Sequence, residues 1–293
     1  MAQNLLLIYL MKKNNPSYFW PLWFLSSLNK EDQAKIKPST LKKLMKGQSY
    51  LWNALNIYDD ILDGSSNAQK LPMANKYFRN YLEIYYRLKL PNDFYKHFNS
   101  LLRDLELANQ EEFNQSKLET KNNLVKIPLK IPKFPSLEHL SRKSLALSSG
   151  PLALLYLVNS PELLERASGS ISFFRYALAA KQLSDDAQDW LEDFQSGAIT
   201  YPVSLIIKLA KESKIKLNLE KRPEIIYLLF AKIAPKISLE IKSLCLSARQ
   251  EAKNINLEKN NQLIIKIIQP LEKAVSKAEK FNKLLTKKAN LAI

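Results

Sequence analysis

Asn56-Ile57-Tyr58-Asp59-Asp60-Ile61-Leu62-Asp63-Gly64 places an aspartate pair and a third aspartate inside an otherwise apolar stretch. A helix advances about 100° per residue, so Asp59 and Asp63 share one face, with Asp60 beside them. Three carboxylates that close repel one another unless a cation sits among them. Hard divalent ions such as Mg²⁺ suit that place, because they take a few carboxylate oxygens, waters and the oxygens of a phosphorylated substrate. A second cluster, Asp185-Asp186-Ala187-Gln188-Asp189, repeats the spacing 185 − 59 = 126 residues later and continues through Glu192 and Asp193. Tyr50 to Tyr58 carries no charged side chain, so the first cluster is an acidic end on an apolar run, costly without a cation. We read two helices aiming these clusters at one cavity, where metal ions hold a diphosphate.

The elements that would position them are helical. The chain has 293 residues and only 5 glycines, and apolar residues recur at helical spacing. This predicts an all-α fold, one large helical bundle over 1–293 around a central apolar cavity, with N-terminal helices in 1–47 and basic C-terminal helices in 236–293. Residues 4–11 read as a short apolar helix. Tyr18 to Leu25 packs five aromatics into eight residues, which reads as a helix docked on the core or as an interfacial membrane contact. Ser39 or Thr40 is the expected N-cap of the helix that leads to the first cluster, broken after it by Gly64-Ser65-Ser66-Asn67. Further helices are expected over about 73–90 and 94–118.

Residues 119–135 form a proline-rich strap, with Pro128, Pro132 and Pro135 in nine residues. It serves as a linker or lies over the mouth of the site. Ser136 is the expected N-cap of a helix carrying His139, Arg142 and Lys143 as far as Gly150-Pro151. From about Pro161 a helix leads to the second cluster and ends at Gly197. Tyr201-Pro202 starts another, and Pro223 and Pro235 separate the later pieces.

The net charge of +16 suits anionic partners such as diphosphates or an anionic membrane surface. There is no arginine-rich segment, zinc spacing or aromatic RNA-binding signature, so nucleic acid is not an expected partner. Cys245 is the only cysteine and is expected to be buried packing in a reducing cytoplasm. No stretch reaches about 18 consecutive apolar residues, so no membrane span is expected. Met1–Met11 lacks a basic segment ahead of its apolar residues, the wrong order for a signal peptide. The expected location is cytoplasmic, with peripheral membrane contact as the companion reading.

The motifs resemble those of the trans-type polyprenyl diphosphate synthases, of the class I isoprenoid synthase fold. Tyr58 to Asp63 is similar to that family's first aspartate-rich motif, and Gln182-Leu183-Ser184-Asp185-Asp186-Ala187-Gln188-Asp189 to its second. Ser136 to Ser144 is similar to the segment ending in the family's Lys-Thr, here 185 − 143 = 42 residues before the second motif. The resemblance covers roughly residues 48–202. It implies about three Mg²⁺ ions on Asp59, Asp63 and Asp185, with Asp60, Asp186 and Asp189 in support. It implies Lys143 and Arg142 on the substrate diphosphate, Gln182 toward the carbocation or alkene, and Leu55, with Ala54, near the floor of a prenyl tube. The implied substrates are an allylic prenyl diphosphate and isopentenyl diphosphate, and the implied state is a homodimer.

The family's upstream Gly-Gly-Lys-x-x-Arg segment is absent, as are its paired arginines after the first motif. Gly197-Ala198-Ile199-Thr200 stands where a lysine is expected after the second motif. These departures support an alternative. Asp189-Trp190-Leu191-Glu192-Asp193 with Gly197 and Pro202 is similar to a run in squalene and phytoene synthases, which join two allylic diphosphates head to head. A non-enzymatic homologue that binds a prenyl diphosphate or pairs with an active subunit is the third reading.

Overall fold

The computed structural model describes residues 15–62, 66–114, 117–121, 124–128, 131–134, 136–218, 223–257 and 261–291. The expected helix at 4–11, the third aspartate Asp63 and the break at Gly64 and Ser65 lie outside the described residues. The chain is mostly helical, as its periodicity requires. The helices are α1 (Trp20–Leu25), α2 (Lys30–Lys35), α3 (Pro38–Leu62), α4 (Leu71–Arg87) and α5 (Asn92–Phe113). Then follow a small antiparallel pair, β1 (Glu119–Lys121) and β2 (Leu124–Lys126), and α6 (Ser149–Val158), α7 (Pro161–Glu165), α8 (Ala167–Ser196), α9 (Tyr201–Glu212), α10 (Pro223–Asn254) and α11 (Gln269–Leu291). They fall into two compact units, one from 1–113, 142–175 and 249–266, the other from 114–141, 176–248 and 267–293.

The first unit is built on α3, α4, α5 and α6. Leu44, Leu51, Ala54 and Ile57 put a buried stripe along α3, which packs along α4. Phe94, Phe98, Leu101 and Leu105 do the same on α5, at spacings of three and four. Nearly every residue of α6 is buried, as expected of a helix that is apolar all round. At Gly150 an added β-carbon would lie 2.7 Å from the Pro21 side chain. Buried hydroxyls satisfy one another between α4 and α6. Tyr81 donates to Ser149 Oγ at 2.9 Å, and Ser149 donates to the Tyr85 hydroxyl at 3.1 Å. Trp20 and Phe24 are buried, and Trp20 stacks on Phe174 at 5.1 Å. The aromatic segment at 18–25 therefore docks on the core through these rings.

In the second unit the described residues of the strap include the antiparallel pair β1–β2. The Leu118 amide donates to Gly197 O at 2.8 Å, and the Val125 amide to Leu217 O at 3.1 Å. Phe134 meets Tyr201 edge to face at 5.4 Å. These contacts hold the segment around the strap to the turn after α8, to the start of α9 and to Leu217 beyond the end of α9. Gly197 ends α8 at φ +83°, a conformation that favours glycine.

Four expectations are corrected. Residues 136–150 are not a regular helix but two 3₁₀ turns, Leu137–Ser141 and Leu145–Ser148, with Arg142 and Lys143 between them. Serines cause this: Ser141 Oγ donates to Glu138 O at 2.7 Å and Ser148 Oγ to Leu145 O at 2.7 Å, competing with helical pairing. α3 starts at Pro38, not at Ser39 or Thr40, because proline suits a first helical position and the Lys37 carbonyl accepts from Thr40 and Leu41. α5 stops at Phe113 rather than 118. Pro235 does not separate two helices but lies inside α10, where Ile226, Leu229, Ile233, Ile237, Ile241 and Leu244 form one buried stripe through it. Pro235 itself is exposed, so water can reach the carbonyl it leaves unpaired. The 236 boundary of the basic C-terminal helices consequently falls within α10.

Candidate functional site

The last turns of α3 carry Asp59 and Asp60, both exposed, after the buried Ala54 and Ile57. Leu55 is half-buried one turn before Asp59. Tyr58, on the flank of the helix, donates to Asn75 Oδ1 at 2.8 Å, and burial pushes its hydroxyl pKa up. These contacts fix the end of α3 against α4.

The turn at 142–144 brings two cations to this end of the unit. Lys143 Nζ lies 2.5 Å from Asp59 Oδ1 and 2.5 Å from Glu112 Oε2. Arg142 pairs with Glu111 at 2.8 Å. The contact between Lys143 and Asp59 spans 84 positions of the chain, so the fold creates it and helical spacing does not. The Lys143 side chain is only 27% exposed. Burial alone lowers its pKa, but the carboxylates of Asp59 and Glu112 outweigh burial and hold it above the ordinary lysine value.

Glu111 and Glu112 were not singled out from the sequence. The available signal was the match of two adjacent dipeptides, Glu111-Glu112 at the end of a helical run and Arg142-Lys143 after the strap. Charge order alone does not pair segments about 30 residues apart, so only the folded chain identifies the partners.

The second cluster lies in the other unit, on α8. Lys181 pairs with Asp185 one turn along the helix, and Gln182 Nε2 donates to Asp186 Oδ1 at 2.8 Å. Asp185 is half-buried, Asp186 buried and Asp189 exposed. Asp193 Oδ2 accepts from Thr200 Oγ1 at 3.0 Å, joining the acidic row to the turn after Gly197. Lys181, like Glu112, was absent from the sequence-based site.

The structure thus brings together Asp59 and Lys143, with Arg142 adjacent, and separately Asp185 with Lys181 and Asp186 with Gln182. The donor atoms at Asp59 and Glu112 are carboxylate oxygens, the chemistry of hard divalent ions, and the place between them already holds a cation, the Lys143 ammonium. Among the described residues no three His, Cys, Asp or Glu side chains converge on one point. Mg²⁺ commonly uses one or two carboxylates and completes its shell with substrate phosphate, and the Asp59 end meets that lesser requirement. Among the described residues, no helix is long and apolar enough to cross a membrane.

No protein-family model, curated protein or solved structure matches the chain.

Proposed function

We propose that the chain is a Mg²⁺-dependent prenyltransferase of the isoprenoid synthase type. It ionises an allylic prenyl diphosphate and joins the fragment to isopentenyl diphosphate. The observation that carries this reading is the 2.5 Å contact between Lys143 and Asp59, from segments 84 residues apart. The motif resemblance implies Asp59 as a metal ligand and Lys143 as a charge on the same substrate diphosphate. Their meeting in one unit is independent support for it.

In this reading Asp59 and Asp63 would hold two Mg²⁺ ions and Asp185 a third, with Asp60, Asp186 and Asp189 in support, on the diphosphate of the allylic substrate. Bound Mg²⁺ supplies charge neutralisation on the leaving diphosphate. Lys143 turns from Asp59 toward the leaving oxygens, adding a point charge, while Glu112 keeps its ammonium at the site. Arg142, held by Glu111, offers a second cation to the diphosphate. The C–O bond breaks with both electrons going to diphosphate, the alkene of isopentenyl diphosphate forms the new C–C bond, and one proton is lost. Gln182, whose amide N–H donates to Asp186 Oδ1, would offer its carbonyl oxygen to the carbocation or the incoming alkene. Leu55 and Ala54, one turn below Asp59, line the path of the prenyl tail.

The test is diphosphate release from farnesyl diphosphate with isopentenyl diphosphate and Mg²⁺. The full chain is expected to turn over, with Asp59→Ala and Asp185→Ala each lowering the rate by at least about 10³-fold while keeping helical circular dichroism. Turnover unaffected by both substitutions overturns the proposal. Release without isopentenyl diphosphate replaces it with head-to-head condensation.

A further inference from the structure

We propose that the outer face of α10 docks on an anionic membrane surface. Its buried face is already used by the stripe from Ile226 to Leu244. On the opposite side Leu228, Leu239 and Leu246 are 62%, 61% and 60% exposed. Their spacings of 11 and 7 residues bring each back to within about 20° of the same direction. The exposed Pro235 falls on the same line. The row runs for about 27 Å along the helix. Single exposed leucines are ordinary, but three in register on a helix that is already buried on its other side make a second apolar edge.

Lysines flank this edge on both sides. Lys232 lies about 40° to one side with Lys236 beyond it, and Lys242 about 40° to the other, all three exposed. Lys242 pairs with Glu279 at 3.3 Å, which ties α11 alongside. α11 adds the exposed Lys273, Lys277 and Lys280. An apolar strip with lysines on its flanks suits a bilayer interface, where leucines enter the acyl boundary and ammonium groups reach anionic headgroups. The same arrangement disfavours a second copy as the occupant, since a two-fold contact along the strip would set lysine row against lysine row.

This inference is independent of the catalytic reading. It also moves the expected membrane contact away from Tyr18–Leu25, where Trp20 and Phe24 are buried. The test is flotation of the full chain with vesicles of phosphatidylglycerol and phosphatidylcholine, against vesicles of phosphatidylcholine alone. Binding is expected to the anionic vesicles and to weaken at least about tenfold in about 0.5 M NaCl. The variant Leu228→Ser/Leu239→Ser/Leu246→Ser is expected to lose at least about tenfold in vesicle binding with its melting temperature unchanged. Lys232→Glu, which leaves the Lys242–Glu279 pair intact, is expected to weaken anionic-vesicle binding without affecting the fold. No binding to anionic vesicles overturns the proposal. So does a leucine variant that binds normally, one that turns a dimer into a monomer in sedimentation, or one whose melting temperature falls because the chain itself covers the strip.

Discussion

At Lys143 burial and charge pull in opposite directions, and charge wins. With Asp59 and Glu112 each 2.5 Å away, the ammonium is worth more folded than unfolded. Lys143→Met is expected to cost about 1–3 kcal/mol near neutral pH in urea unfolding, since it leaves two carboxylates facing each other without their cation. The double variant with Glu112→Gln is expected to cost less than the sum of the singles, the signature of a direct pair. The pH dependence follows from the raised pKa. This contribution is complete below the unfolded lysine value of about 10.4 and is lost as pH rises through the higher folded value. Tyr81, Tyr85 and Tyr201 act in the same sense. Burial holds their hydroxyls protonated where the unfolded chain ionises, above about pH 10, and at Tyr201 the hydrogen bond to Glu240 adds to it. The urea midpoint is therefore expected to drop above about pH 10, and less steeply in Lys143→Met. A midpoint that rises between pH 9 and pH 11 would contradict this.

Among the elements, α10 and the strap show where helix-making residues and context disagree. Pro235→Ala is expected to raise stability by about 1–3 kcal/mol, because the substitution restores a hydrogen bond and removes a clash in an otherwise continuous helix. Thermal melting checks this, and a lower melting temperature would show that the proline fits a needed bend. Gly197→Ala acts in the other direction. At φ +83° an alanine is strained, and its β-carbon would lie 2.7 Å from Leu118 O, so a loss of about 1–3 kcal/mol is expected in the same measurement. Much of this level was legible in the sequence. Apolar periodicity located α3, α4 and α8, and Gly197 and Tyr201-Pro202 marked the junction between α8 and α9 as observed. Pro235 misled because proline is a local signal, while the buried stripe from Ile226 to Leu244 is set by packing. The serines of 136–149 misled in the opposite way. Ser136 reads as a cap, yet Ser141 and Ser148 divert the backbone into tight turns. That turn presents Lys143 to Asp59. Its basic character was readable in the sequence, and its partners Glu111 and Glu112 were not, because pairing across the chain has no local signature.

Over the whole molecule the +16 charge is a persistent repulsion that the few acidic partners do not cancel. Raising NaCl from about 20 mM to about 300 mM is expected to raise the melting temperature by screening it. A fall would mean that attractive ion pairs, such as those at Lys143 and Arg142, dominate instead. The same charge suits a diphosphate substrate and an anionic surface, so it does not choose between catalytic readings. The acidic clusters are what distinguish this chain from a merely basic helical protein. The most direct measurement supplies purified protein and Mg²⁺ with labelled isopentenyl diphosphate and, in turn, dimethylallyl, geranyl, farnesyl or geranylgeranyl diphosphate. Longer labelled prenyl diphosphates that form only with an allylic partner and Mg²⁺, and vanish in Asp59→Ala, are the expected result. Label that stays in isopentenyl diphosphate with every partner would contradict it.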